Sequence, residues 1–226
     1  MSRKLYQLTE PQKNIYLREL AYPSTSINIV SFTSVIDKEV DIDICKKVLN
    51  KIIECNDILR TKIVKTKDGI FQEIEDYTFV NIPVVDCPQK TKEEVFKEID
   101  QNTYIPFSPF ENNRLFDFKI YRLANNHIII NYKFHHVLGD GWSTKVIFKQ
   151  FNTFYYFISH NLDIANFPPS YLDYINTEKE YLSSDNFVKD KTYWENYIKN
   201  IPEMLSLKEN ILKKGSSTVR YTDELS

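Results

Sequence analysis

No part of this sequence constrains the fold more than residues 115–159, where two strand patterns run through one short loop into a long helix pattern. Residues 115–123 and 127–134 are rich in aromatic and β-branched side chains, and Ala124-Asn125-Asn126 joins them as the strongest hairpin signal in the chain. In the second run Ile128, Ile130, Tyr132 and Phe134 alternate and therefore share one face. The period then changes. From 143 to 159, Ile147, Phe151, Phe154 and Ile158 recur at spacings of three and four, the stripe of an amphipathic helix, and Pro168-Pro169 closes the loop after it. The scarce residues gather in the loop between: two of the four histidines, His135 and His136, and two of the four glycines, Gly139 and Gly141.

The rest of the chain also mixes helix and strand patterns. Thr9 and Gln12 form a capping box ahead of Ile15, Tyr16 and Leu20, which predicts a helix over 10–20. Near Asp41 a second begins, with Cys45, Val48, Leu49 and Ile52 on its apolar face. Thr91 and Glu94 cap a third, carrying Val95, Phe96 and Ile99. Residues 26–40 and 79–85 read as extended, and 58–74 as a hairpin with Gly69 at a position needing positive φ. Two amphipathic helices fill 170–200, and 219–221 reads as a strand with no partner nearby. At 226 residues the chain is one large domain or one and a half, long enough to bury a sizeable core.

Composition removes several functions. No apolar run approaches the roughly 18 residues of a membrane span, so no membrane partner is expected. With 29 Lys and Arg against 31 Asp and Glu, and no basic block, the footprint of a nucleic-acid binder is missing. Cys45, Cys55 and Cys87 are odd in number and form no paired motif, which reads as reduced core thiols rather than disulfides or zinc ligands. The amino-terminal residues lack the apolar core of a secretory signal, and the expected location is cytoplasmic.

The loop His135-His136-Val137-Leu138-Gly139-Asp140-Gly141-Trp142-Ser143 lies where a strand ends and a helix starts, a common place for catalytic groups. If extended geometry persists, His136 continues the face of Ile130, Tyr132 and Phe134, while His135 goes with Asn131 and Lys133. Amides near Gly141 lie at the amino end of the helix, where free N–H groups and the dipole favour negative charge. A histidine beside such donors suits acyl transfer, which needs a group to accept or orient a proton and a place for an oxyanion. Plainer readings stand beside this one: either histidine as a structural residue, Asp140 as a helix cap, and the two glycines as turn formers. A metal site from His135, His136 and Asp140 is disfavoured, because adjacent histidines do not readily converge on one ion.

The loop matches HHxxxDG followed by Trp-Ser and so resembles the signature of the condensation domains of nonribosomal peptide synthetases, within the wider chloramphenicol-acetyltransferase-like superfamily. Other stretches resemble the same family in the same order. Thr9-Glu10-Pro11-Gln12 through Leu17 is similar to S/TxAQxRxxxL, with Pro11 for Ala and Asn14 for Arg. Residues 55–61 are similar to RHExLRT, keeping an acid at Asp57 and retaining Leu59, Arg60 and Thr61, but with Cys55 and Asn56 replacing the first Arg and His. Pro106-Phe107 with Arg114-Leu115, then Tyr171-Leu172-Asp173-Tyr174 and Tyr193-Trp194, resemble later segments.

The resemblance implies an α/β fold of α+β sandwich type, a lobe in which a mixed β-sheet is packed by helices, with a helical connector. It places the amino-terminal lobe at 1–168, the connector at 169–208, and the start of a truncated second lobe, or a tail, at 209–226. The implied reaction is aminolysis of an acyl or peptidyl thioester on a carrier protein's phosphopantetheine arm, giving an amide, with no metal and no cofactor bound directly. His136 would orient or deprotonate the amine and Gly141 would help with the oxyanion. Asp140 would pair with Arg60 to hold the loop, and His135 would be architectural. The implied partners are the second condensation lobe, donor and acceptor peptidyl carrier proteins and an adjacent adenylation domain. A complete domain resembles two such lobes around a channel, so this chain alone is expected to be inactive. The alternatives are a catalytically silent docking lobe and a stand-alone CoA-dependent acyltransferase; the latter carries the motif near its end, whereas 85 residues follow Gly141 here.

Overall fold

The computed structural model describes residues 4–109, 114–164, 168–199 and 201. They fall into two compact units, Met1–Tyr171 and Leu172–Ser226. The expected strand at 219–221, and with it the whole of 209–226, lies outside the described residues.

In the first unit the helix boundaries follow the capping chemistry. Helix α1 (Glu10–Ala21) starts with the Thr9/Gln12 capping box, α2 (Ile42–Cys55) with Asp41 accepting from the Asp43 and Ile44 amides, and α3 (Lys92–Thr103) with the Thr91/Glu94 box. Strands β1 (Leu5–Gln7), β3 (Thr61–Thr66) and β4 (Gly69–Ile74) form an antiparallel sheet in the order β1-β4-β3. Gly69 has φ +134°, the conformation expected of it in the hairpin turn. Strands β2 (Ile29–Ile36), β5 (Val84–Asp86), β6 (Phe116–Arg122) and β7 (Ile128–His135) form a second sheet, ordered β2-β7-β6-β5, with β5 parallel to β6 and the other pairs antiparallel. The expectation of one mixed sheet thus becomes a mixed sheet of four strands and a separate antiparallel sheet of three. In the β6–β7 connection Asn125 and Asn126 both adopt positive φ, a conformation asparagine tolerates better than most residues.

All eight residues of β7 are buried, because this central strand is covered on both faces. Ile128, Ile130, Tyr132 and Phe134 join the main core with Val48, Leu49 and Ile52 of α2 and with Ile147, Phe151 and Phe154 of α4 (Gly141–Ser159). Ile129 faces the other way and packs with Val95 and Ile99 of α3. Lys133 shares that second face, and its Nζ donates to the Asn102 and Ile105 carbonyls at 2.7 and 2.6 Å, which lets a lysine lie buried. Cys45, Cys55 and Cys87 are all buried and free, and burial pushes the Cys45 thiol up to about 12.

Helix α1 departs from its expected face. Ile15 and Tyr16 pack against the core, but Leu17 and Leu20 are more than half exposed, while the polar Gln12 and Glu19 are buried. Seven residues apart, those two occupy one face of the helix and point the polar side inward. Helices α5 (Tyr171–Leu182) and α6 (Asp185–Lys199) lie where the apolar spacing placed them, joined by a Tyr181–Asp190 hydrogen bond of 2.7 Å and an edge-on Tyr181–Phe187 contact. No described helix is long and apolar enough to cross a membrane.

Candidate active site

Strand β7 ends at His135, a short 3₁₀ turn carries His136, Val137 and Leu138, and Asp140 starts α4 at Gly141. The helix begins two residues earlier than its apolar spacing indicated, because capping rather than periodicity sets where it starts. Extended geometry also ends one residue too soon for His136 to continue the Phe134 face as a strand residue.

The two histidines differ in what they touch. His135 is 3% exposed. Its Nδ1 accepts from the Val137 amide at 3.1 Å and its Nε2 lies 3.4 Å from Glu19 Oε2. An Nδ1 that accepts cannot carry a proton, so the ring proton is on Nε2 and is donated to Glu19. Burial holds the His135 pKa below its usual value, outweighing the carboxylate that raises it, and the ring is neutral. With both nitrogens engaged, His135 has no lone pair left for a metal. His136 is half-buried, and its ring has no hydrogen-bond partner among the described residues.

Asp140 is the amino-terminal cap of α4. Its Oδ1 accepts from the Trp142 and Ser143 amides, both at 3.0 Å, and from Ser143 Oγ, also at 3.0 Å, and these bonds hold its pKa below the usual carboxylate value. The Asp140 amide donates in turn to Ser143 Oγ at 3.1 Å. The expected Arg60–Asp140 ion pair does not form. Arg60 instead donates to the carbonyls of Ile53 and Glu54 in the last turn of α2, at 2.9 and 2.6 Å, and to the Glu75 carbonyl at 2.9 Å. The physical reason is local: a cation near a helix carboxyl end finds unpaired carbonyls and the negative end of the dipole, and Asp140 is engaged through Oδ1 in capping its own helix.

Gly139 and Gly141 serve different ends. A Cβ on Gly139 would lie 2.7 Å from Ser143 Oγ, whereas a Cβ on Gly141 would meet nothing within 4 Å. The Gly141 amide has no partner among the described residues, while the next two amides are taken by Asp140. The expected contribution of the helix dipole is thereby reduced, since an ionised carboxylate already sits at that terminus. What remains for an incoming anion is the single N–H of Gly141.

The second motif is occupied with holding elements together. Asn56 exchanges amide hydrogen bonds with Gln150 of α4 at 2.8 and 3.2 Å. Asp57 accepts from Ser170 Oγ and, at 2.8 Å, from the Tyr171 amide. Beside the His136 turn is an apolar cavity of about 130 Å³ lined by Leu59, Phe134, Leu138, Trp142, Val146 and Ile147, with Trp142 70% exposed. Glu19 is a neighbour of the motif that lies outside the segments resembling the family. Its sequence signal is the seven-residue spacing from Gln12, a polar pair on a helix whose leucines point outward.

The family model of the condensation domain matches residues 2–225. The chain belongs to the condensation-domain family. Among its relatives, the chain is 29% identical over 230 residues to a plipastatin synthase and 27% identical over 222 residues to a surfactin synthase, both of Bacillus subtilis (strain 168). These alignments cover 100% and 96% of this chain but only 9% and 6% of those proteins. The starter condensation domain of rhizomide synthetase superposes with a TM-score of 0.80 at 20% identity, over 88% of this chain and 49% of that one. The first condensation domain of the CDA synthetase gives 0.76 at 16% identity, over 92% and 53%. The chain thus spans about half of a solved condensation domain, and the mixed α/β fold is that of the family.

Proposed function

We propose that this lobe supplies the HHxxxDG wall of a condensation site in which an amine attacks a carrier-bound acyl or peptidyl thioester. The observation that carries the reading is the contrast within the motif: His135 is buried and fully hydrogen-bonded, while the ring of His136 has no partner in its own lobe among the described residues. An amine nitrogen adds to the thioester carbonyl carbon, the tetrahedral intermediate expels the phosphopantetheine thiolate, and an amide and a free thiol result. His136 holds or takes the proton lost by the attacking nitrogen, and the Gly141 amide donates to the carbonyl oxygen as it becomes negative. Asp140 shapes the loop as a cap, and Arg60 acts away from it on α2. Phosphopantetheine enters as part of the substrate, presented by donor and acceptor carrier proteins. The second condensation lobe forms the opposite wall, and an adenylation domain loads the acceptor.

The test is amide formation from two loaded carrier proteins by the complete domain. His136→Ala should lower the rate by roughly 10²–10⁴-fold with the fold intact. A folded and fully active His136→Ala domain would remove the catalytic assignment. Absence of product from the unaltered domain would favour a silent docking lobe.

A further inference from the structure

We propose that Glu19 is a positioning residue of this site: it fixes the tautomer of His135 and, through His135, the backbone of the turn that carries His136. The proposal rests on the role given to His136 above.

The connection is short and complete. Glu19 Oε2 accepts from Asn28 Nδ2 at 2.7 Å and faces His135 Nε2 at 3.4 Å, and His135 Nδ1 accepts from the Val137 amide at 3.1 Å. Val137 directly follows His136. Its carbonyl is held from the same helix, because Gln12 Nε2 donates to it at 3.3 Å and to Gln72 Oε1 at 2.9 Å, while Gln72 Nε2 donates to the Gln7 carbonyl at 2.8 Å. One face of α1 therefore bears on both backbone polar groups of the residue next to the His136 imidazole, through Gln12 directly at the carbonyl and through Glu19 and His135 at the N–H. Rotation of the His136–Val137 peptide plane would break the bond from the Val137 N–H to His135, and rotation of the next plane would break the bond from Gln12 to the Val137 carbonyl.

This cluster is a poor device for stability alone. Glu19 is 6% exposed and Asn28 is fully buried, and Asn28 Oδ1 has no hydrogen-bond partner among the described residues. Burying a carboxylate and an unpaired amide oxygen costs free energy that an apolar pair of the same volume would not. What the polar cluster supplies is direction. Without an acceptor at Nε2, the neutral ring can carry its proton on either nitrogen, and a proton on Nδ1 would face the Val137 N–H and repel it.

The test is nitrogen-15 NMR of the His135 ring with hydrogen exchange of the Val137 amide, both measured on this chain without turnover. The unaltered chain should show His135 protonated on Nε2. Glu19→Leu should shift the ring toward mixed tautomers and speed Val137 exchange by about tenfold, the effect of losing one buried hydrogen bond. Glu19→Gln keeps an acceptor oxygen and should restore the tautomer and most of the protection. In the complete domain, Glu19→Leu should lower kcat more than it changes KM, with Glu19→Gln recovering the loss. A proton on Nδ1 in the unaltered chain overturns the proposal without any variant, and so does a folded Glu19→Leu with unchanged ring shifts and exchange. If Glu19→Leu does not fold, the unaltered chain and Glu19→Gln decide: loss of the Nε2 tautomer in Glu19→Gln would count against an acceptor role. An active His136→Ala domain beside the expected ring shifts would defeat the reading of His136 alone.

Discussion

Gly139 and Ser143 face each other so closely at the start of α4 that a Cβ on the glycine would lie 2.7 Å from Ser143 Oγ and 2.9 Å from Ser143 Cβ. Ser143 cannot turn away freely, because its hydroxyl bonds both the Asp140 carboxylate and the Asp140 amide. Gly139→Ala is therefore expected to destabilise the chain by about 1–3 kcal/mol, the usual range for overpacking. Gly141→Ala, in open space at the first helical position, should leave the urea midpoint unchanged or slightly raised. Urea unfolding of the two variants checks the contrast, and equal losses would contradict it.

Arg60 and Asp140 act on different helices and should not be coupled. Asp140→Ala removes a helix cap, at about 0.5–2 kcal/mol. Arg60→Ala removes charge-assisted bonds to three carbonyls, at about 1.5–3 kcal/mol. In a double-mutant cycle the two losses should add to within about 0.5 kcal/mol. A coupling well above that would restore the ion pair.

The depressed pKa of His135 makes stability pH-dependent in a definite direction. The group's ordinary pKa of 6.5 applies in the unfolded chain, and burial lowers it in the folded one. As pH falls below about 6.5 the unfolded chain takes up a proton that the folded chain refuses, so stability is full above that pH and declines below it, down to the folded pKa. Urea midpoints between pH 7.5 and 5 should fall accordingly. A His135 ring titration followed by NMR should give a midpoint below 6.5; one above it would reverse the sign.

His136→Ala should barely move the melting temperature, since the ring makes no hydrogen bond among the described residues. His135→Ala breaks contacts to Glu19 and Val137 and should melt clearly earlier. Thermal unfolding of both variants at pH 7.5 compares them directly, and a larger loss for His136→Ala would make it the structural histidine.

Much of this protein was legible from local patterns, because helix caps, alternation and turn residues act over four to eight neighbours. Thr9, Asp41 and Thr91 start their helices, Gly69 takes positive φ in its turn, and the motif loop lies between the strand and helix that Ile128–His135 and Gly141–Ser159 form. What only tertiary structure decided was which polar groups meet. Arg60 and Asp140 are both charged and both in motifs, yet each found nearer partners, because a guanidinium is held most readily where a helix leaves carbonyls unpaired and a carboxylate where a helix leaves amides unpaired. Glu19 and His135 lie 116 residues apart, and nothing in either's neighbourhood announces the other. Their meeting depends on the packing of α1 beside the end of β7, and burial then turns an ordinary carboxylate and an ordinary imidazole into a single oriented pair.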